Sequence, residues 1–168
     1  MDFFKQQEEL METVKSLVKN PKDPIKGLEN LLQEKAKLEK KLKQLESLQE
    51  KAIQEELSQN MQEHDGKQCI IAEVSLDAGG MKNLAFDLEK KFPNLFLVLA
   101  SKQGDKAQLT VAFGKQLVES GDFHAGKTIK ALASHIQGGG GGQAHIATAG
   151  GKKPEGIPEA LKAAEAML

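Results

Sequence analysis

Arginine, tryptophan and tyrosine are absent from this chain of 168 residues, and cysteine occurs once. Without arginine there is no planar fork for bidentate recognition of a phosphate or a base edge. All 23 cationic side chains are lysines, mobile ammonium groups on flexible stems. The missing Trp and Tyr leave seven Phe as the aromatic complement, and Phe86, Phe92, Phe96 and Phe113 fit core positions better than stacking platforms. The single cysteine, Cys69, lies in an apolar run and reads as a buried core thiol. One thiol and four scattered histidines give no metal-ligand spacing, so no metal site is expected. No apolar run is long enough to cross a bilayer, and the N-terminal Met-Asp-Phe-Phe-Lys-Gln-Gln-Glu lacks the basic-then-apolar order of a secretory signal. A cytoplasmic setting without membrane partners is therefore expected. Catalytic patterns are missing too. Asp122 with His124, or His135 with His145, could be assembled into an acid–base pair, but nothing supplies a nucleophile.

What is present divides the chain into two unlike parts. Of the 16 glycines only Gly27 precedes residue 66, and a helical pattern gives way to a strand-like one at Glu63-His64-Asp65-Gly66-Lys67. These shifts predict an arm over residues 1–65 and a glycine-rich globular domain over 66–168. In the arm, Phe3, Leu10, Val14 and Leu17 share one face of a first helix, which stops at Asn20-Pro21 and Asp23-Pro24. From Pro24 a stripe of Leu28, Leu31, Leu32, Leu38, Leu42, Leu45, Leu48, Ala52, Ile53, Leu57 and Met61 predicts an amphipathic helix of about 40 residues, about 60 Å long. Leu31, Leu38, Leu45 and Ala52 are seven apart, a coiled-coil spacing that Lys35 and Gln49 interrupt at the companion positions. Folding back of the first helix as an antiparallel hairpin covers part of this stripe. Leu31, Leu38, Leu42, Leu45 and Ile53 are then candidates for packing against another domain or a second copy.

The second part reads as a mixed α/β domain, a sheet packed by helices. Strands are expected over Cys69 to Val74, Leu95 to Ala100 and Ala107 to Phe113, the last two joined by the polar turn Lys102-Gln103-Gly104-Asp105. Helices are expected over Met81 to Lys90, over Lys127 to Gln137 with Ile129, Leu132, Ala133 and Ile136 on one face, and over Pro158 to Met167. Ile146 to Thr148 can add a short strand.

Between the last two helices stand five consecutive glycines, Gly138, Gly139, Gly140, Gly141 and Gly142, leading into Gln143-Ala144-His145. So many missing side chains leave a row of backbone N–H groups open to a partner, and ordering them has a large entropic cost that close neighbours or a ligand must offset. A binding loop is one reading; a flexible linker is the other. The run is not a Walker loop, because no Gly-Lys-Ser/Thr follows, and it lacks the spacing of a dinucleotide fingerprint. Lysines surround it: Lys127 and Lys130 before, Lys152 and Lys153 after. The formal net charge is −1, unlike that of a self-sufficient nucleic-acid-binding domain, but it is unevenly spread. There are 11 Lys against 14 acidic residues through residue 65, and 12 against 10 beyond it.

Gly126-Lys127 with Ala131, the five glycines, and Ala147-Thr148-Ala149-Gly150-Gly151 together resemble the C-terminal domain of alanyl-tRNA synthetases, a module related to the substrate-binding domain of DHH-type phosphoesterases. A helical hairpin precedes the glycine-rich domain in that family, so the resemblance spans essentially the whole chain. It implies a module without a catalytic site of its own, which grips the outer corner of an alanine-accepting tRNA and helps bring catalytic and editing domains onto it. In some members it also carries dimer contacts. ATP, Mg and Zn would belong to those upstream domains, and this fragment would hold no cofactor. Carried onto this chain, the candidate tRNA contacts are Lys127, Lys130, Gly138 to Gly142, Gln143, His145, Gly150, Gly151, Lys152 and Lys153. Where many members have Arg-Pro-Asp-like residues after the glycines, Gln143-Ala144-His145 stands here, closer to the His-containing form of the phosphoesterase relatives. Substrate binding within such a phosphoesterase is the alternative reading, and a purely structural dimerisation module is another.

Overall fold

In a computed structural model, residues 3–18 and 22–168 are described; the Asn20-Pro21 stop signal lies outside them. The chain divides into two compact units, Met1–Ser47 and Leu48–Leu168. Helices α1 (Phe3–Leu17) and α2 (Pro24–Gln59) form the expected hairpin. Asp23 sets the start of α2: its Oδ1 accepts from Lys26 N at 3.0 Å, with Pro24, which has no N–H to leave unpaired, in the first turn. At 36 residues α2 is about 54 Å long. In the first unit only Val18 and Gly27, both beside the connection, are buried among the described residues. Leu38, Leu42 and Leu45 are 57–66% exposed.

The second unit is a six-stranded mixed sheet, order β1-β2-β3-β4-β6-β5. Its strands are β1 (Gln62–His64), β2 (Lys67–Glu73), β3 (Leu95–Gln103), β4 (Lys106–Phe113), β5 (Gly138–Gly142) and β6 (Ile146–Gly151). The β2–β3 pair is parallel, bridged by α3 (Ala78–Lys91), and every other pair is antiparallel. Asp77 caps α3 by accepting from Gly80 N at 2.7 Å.

Strand alternation assigns the two faces. Phe96, Val98, Ala107, Leu109, Val111 and Phe113 meet Ile129, Leu132 and Ile136 of α5 (Ala125–Ala133) and its C-terminal turn, and Ile157, Ala160 and Ala164 of α6 (Ile157–Glu165). On the other face Ile70, Leu97, Leu99, Ala112 and Ile146 pack under Met81, Leu84, Ala85 and Leu88 of α3, with Ile53 and Leu57 of the C-terminal part of α2 against them. The short α4 (Lys115–Glu119) links β4 to α5. Cys69 is buried, and burial pushes its thiol pKa up while the nearby Lys67 ammonium lowers it by less.

Three local readings of the sequence change. The Asp65-Gly66 pair does not end a helix: α2 stops at Gln59, and Asp65 (φ 49°) and Gly66 (φ 73°) form the two-residue turn of a β1–β2 hairpin. Positive φ at both central positions is the requirement of a type I′ turn, which Asp-Gly meets. The glycine run is neither loop nor linker but strand β5, at the sheet edge. The helix expected through Gln137 ends at Ala133, and Gln137 (φ 49°) turns the chain into β5.

Candidate functional site

The glycines of β5 fall into two sets because a strand alternates its faces. A β-carbon at Gly138, Gly140 or Gly142 would run into the backbone of β6, at Gly150, Thr148 and Ile146 respectively. One at Gly139 or Gly141 would meet nothing within 4 Å. The same contrast holds opposite: a β-carbon at Gly151 would strike the Ile136 carbonyl, while one at Gly150 is open. Gly126 and Gly156 belong with the crowded set, against the carbonyls of Gly142 and His135. Glycine at Gly138, Gly140 and Gly142 lets β5 lie close against β6, and glycine at Gly126, Gly151 and Gly156 lets α5 and its following turn seat closely against neighbouring backbone. No such demand exists at Gly139, Gly141 and Gly150.

All five residues of β5 are exposed. Gln143 N donates to Ile146 O at 2.8 Å, and hydrogen-bonded pairs alternate along an antiparallel ladder. That alternation directs the N–H groups of Gly138, Gly140 and Gly142 off the sheet edge. The N-terminus of α5, by contrast, offers no donor to an anion: Ala125 N and Gly126 N donate to Ala144 O and Gln143 O, at 2.8 and 3.0 Å, and Lys127 N and Thr128 N to His124 O.

The sequence-derived candidates gather on the elements around this edge. Lys127 and Lys130 lie on the exposed side of α5, and Lys152 and Lys153 follow β6, with Lys153 N donating to Ile136 O at 3.0 Å. Gln143 is exposed. His145 is half-buried, its ring edge-on to Phe86 at 6.1 Å, and its carbonyl accepts from Phe113 N. Ile53 faces the sheet unit, whereas Leu38, Leu42 and Leu45 have no cover among the described residues and Leu31 is half-buried.

Helix α3 covers its face of the sheet incompletely. Beyond its first turn, Ser101, Gln108, Thr110, Thr148, Gly150, Gly139 and Gly141 stand in register across β3, β4, β6 and β5. Two adjoining hollows lie over them. One, about 290 Å³, is lined by Ala78, Met81, Gln108, Thr110, Gly139, Thr148 and Gly150 among others. The other, about 400 Å³, shares Gln108, Gly139 and Gly150 and runs out between Lys106 and Lys152. Ser101 Oγ is satisfied by Leu76 O at 2.6 Å, but Gln108 Oε1 and Thr110 Oγ1 are enclosed and without a hydrogen-bond partner. Lys106, Gln108 and Thr110 do not stand out in the sequence alone. Their signal is the polar half of the alternation Lys106-Ala107-Gln108-Leu109-Thr110-Val111. Among the described residues no three His, Cys, Asp or Glu side chains gather into a metal-holding group.

Residues 66–168 match the family model described as the DHHA1 domain. The chain is 38% identical over 168 residues to an alanine–tRNA ligase of Christiangramia forsetii, covering all of this chain and 19% of that protein. A Geobacillus kaustophilus alanine–tRNA ligase is 37% identical over 153 residues, covering 90% of this chain and 17% of that protein. Among solved structures, the C-Ala domain of Aquifex aeolicus alanyl-tRNA synthetase superposes with a TM-score of 0.59 at 26% identity, over 64% of this chain and 96% of that one.

The chain belongs to the C-terminal, DHHA1-type domain family of alanyl-tRNA synthetases.

It spans about a fifth of the length of the relatives it matches. In this C-Ala-type domain the matched region 66–168 begins inside the β1–β2 turn and takes in the glycine strand, the flanking lysines and the polar groove. Among the described residues no helix is long and apolar enough to cross a membrane.

Proposed function

We propose that this domain is a non-catalytic tRNA grip that contacts the outer corner of an alanine-accepting tRNA. There it helps hold the catalytic and editing domains of a longer ligase on the same molecule. The observation that carries the reading is the exposed edge strand β5, without side chains, with Lys127 and Lys130 on the exposed side of the α5 helix packed against it and Lys152 and Lys153 directly after its partner β6. The deep groove of A-form RNA resists base-edge reading, so a folded corner is recognised by shape, phosphates, 2′-OH groups and exposed bases. A bare strand edge admits a phosphate backbone closely, and the lysines supply salt-dependent attraction without base selectivity. The relatives named above are alanine–tRNA ligases, which supports an alanine-accepting tRNA as the partner. The exposed Leu38, Leu42 and Leu45 support a second contact, to another copy or to an upstream domain.

The test is binding of Lys152→Gln/Lys153→Gln to deacylated alanine-accepting tRNA by fluorescence anisotropy at low salt. The double variant should bind several-fold more weakly with unchanged thermal unfolding; curves that overlay those of the parent remove both residues from the site.

A further inference from the structure

The groove on the α3 face of the sheet adjoins the edge strand β5, and its lining points to a bound group that the edge alone does not account for. Three observations converge on it. First, Gly139 and Gly150, directly opposite each other in the β5–β6 ladder, both line it, although a β-carbon at either would meet nothing within 4 Å and neither has positive φ. The fold therefore has no use for glycine at these two positions, where a β-branched residue would make a better strand. What a side chain there would remove is the groove. Second, the floor holds Gln108 Oε1 and Thr110 Oγ1, buried and unpartnered; Thr110 is 1% exposed. Buried polar atoms are ordinarily hydrogen-bonded, as Ser101 is on the neighbouring strand. Third, the groove has chemically different ends: Lys106 and Lys152 at one, Ala78 and Met81 of the first turn of α3 at the other. Asp77, which caps that turn, makes the second end unsuited to an anion.

We propose that this groove takes a single nucleotide residue of the bound RNA. Its phosphate lies between Lys106 and Lys152, its sugar passes over Gly139 and Gly150, and its hydroxyl or exocyclic amino donors reach Gln108 Oε1 and the Thr110 hydroxyl. The half-buried Gln108 carboxamide swings aside to admit them. The two adjoining hollows, about 290 and 400 Å³, together are of the size of a small-ligand site. A carboxamide oxygen and a hydroxyl match the donors of a ribose or base, which an apolar peptide side chain lacks. The inference rests on the RNA-binding reading, but it adds Lys106, Gln108 and Thr110 to the contact surface and assigns Gly139 and Gly150 to ligand clearance.

The experiment is a ¹H–¹⁵N NMR titration of the 168-residue chain with AMP, GMP, CMP and UMP separately, with inorganic phosphate as control. It is paired with tRNA anisotropy on Gly150→Val, Gly139→Val, Thr110→Val and Lys106→Gln. At least one nucleotide should shift the amides of Gly139, Thr148 and Gly150 saturably where phosphate alone does not. Gly150→Val and Gly139→Val should keep the parent's spectrum away from the groove, abolish the shifts and weaken tRNA about tenfold or more. Thr110→Val, which removes an unpartnered buried hydroxyl at constant shape, should leave the melting temperature unchanged or raised while nucleotide affinity falls several-fold. A merely structural threonine would not produce that opposition of sign. Lys106→Gln should weaken both ligands without touching the core. Absence of shifts at these amides with every nucleotide at tens of millimolar overturns the proposal. So does parental tRNA affinity in folded Gly150→Val, including the case in which free nucleotides bind. In either event binding of the unaltered chain to alanine-accepting tRNA over plain duplex, which involves no groove variant, still decides the tRNA reading.

Discussion

Gly139 and Gly140 are chain neighbours with opposite steric surroundings: a β-carbon at Gly140 would collide with the Thr148 carbonyl and Ala149, while one at Gly139 would meet nothing within 4 Å. The glycine run thus serves two purposes at a period of two. One set of positions lets β5 close on β6 under α5, and the other keeps the α3 face of the sheet clear.

This separation is measurable in the free protein. Gly140→Ala should destabilise the domain by about 1–3 kcal/mol, as overpacking against a rigid backbone does. Gly141→Ala, at an open position, should be neutral or stabilising by about 0.4–1 kcal/mol through loss of unfolded-state freedom. Chemical denaturation of the two variants reads the contrast directly, and equal losses at both positions would refute the two-set account.

Lys127 and Lys130 test whether α5 takes part in RNA contact. Neutralising both to Gln should lower the slope of log affinity against log salt by about 0.7–0.9 for each phosphate that these lysines neutralise in the parent. A titration across several salt concentrations measures it. An unchanged slope would remove α5 from the electrostatic contact and leave it to Lys106 and the lysines after β6.

The leucines of α2 predict association. Leu38→Glu with Leu45→Glu removes two side chains that are 66% and 64% exposed, so folding should be unaffected, while any dimer seen by sedimentation equilibrium should dissociate. Retention of the dimer would move the contact elsewhere.

Phe96 and Phe113, with ring centroids 5.0 Å apart and both fully buried, anchor the α5 side of the sheet. Phe96→Ala should lower stability by about 3–5 kcal/mol. A much smaller loss would mean that this core is not packed as described.

Cys69 gives a pH-dependent observable. Burial raises its pKa, so its contribution to stability is fully present below the ordinary thiol value of 9.0 and is lost as pH rises through the higher folded value. Alkylation of the native protein near pH 8 should accordingly be far slower than that of the unfolded chain. Comparable rates would show the thiol to be accessible.

Much of this architecture is written in side-chain periodicity. The stripe from Leu28 to Met61, the run Leu95 to Ala100 and the alternation from Ala107 to Phe113 specify α2, β3 and β4, because each buries one patterned face. Glycine carries no such pattern. Whether Gly138 to Gly142 form a loop or a strand depends on what they pair with, and the partner, β6, is itself only partly apolar. The Asp65-Gly66 turn is ambiguous for a similar reason: β1 is three exposed polar residues, Gln62, Glu63 and His64, which extend the helical pattern of α2 as readily as they form a strand. At the candidate site, the lysines near the glycines are visible in the chain. Occupation of the α5 N-terminus by the carbonyls of Gln143 and Ala144 is not, nor is the convergence of Lys106, Gln108 and Thr110 with Gly139 and Gly150. That convergence depends on register across three strands, β4, β6 and β5.

The most direct test of the central claim is fluorescence anisotropy of the 168-residue chain with a deacylated alanine-accepting tRNA, an unrelated tRNA and a plain RNA duplex, at low and physiological salt. Saturable, salt-dependent binding that favours folded tRNA over duplex is the predicted result. Equal affinity for duplex and tRNA, or no binding to any of them at tens of micromolar protein, would contradict a grip on the tRNA corner and leave the domain a structural or dimerising module.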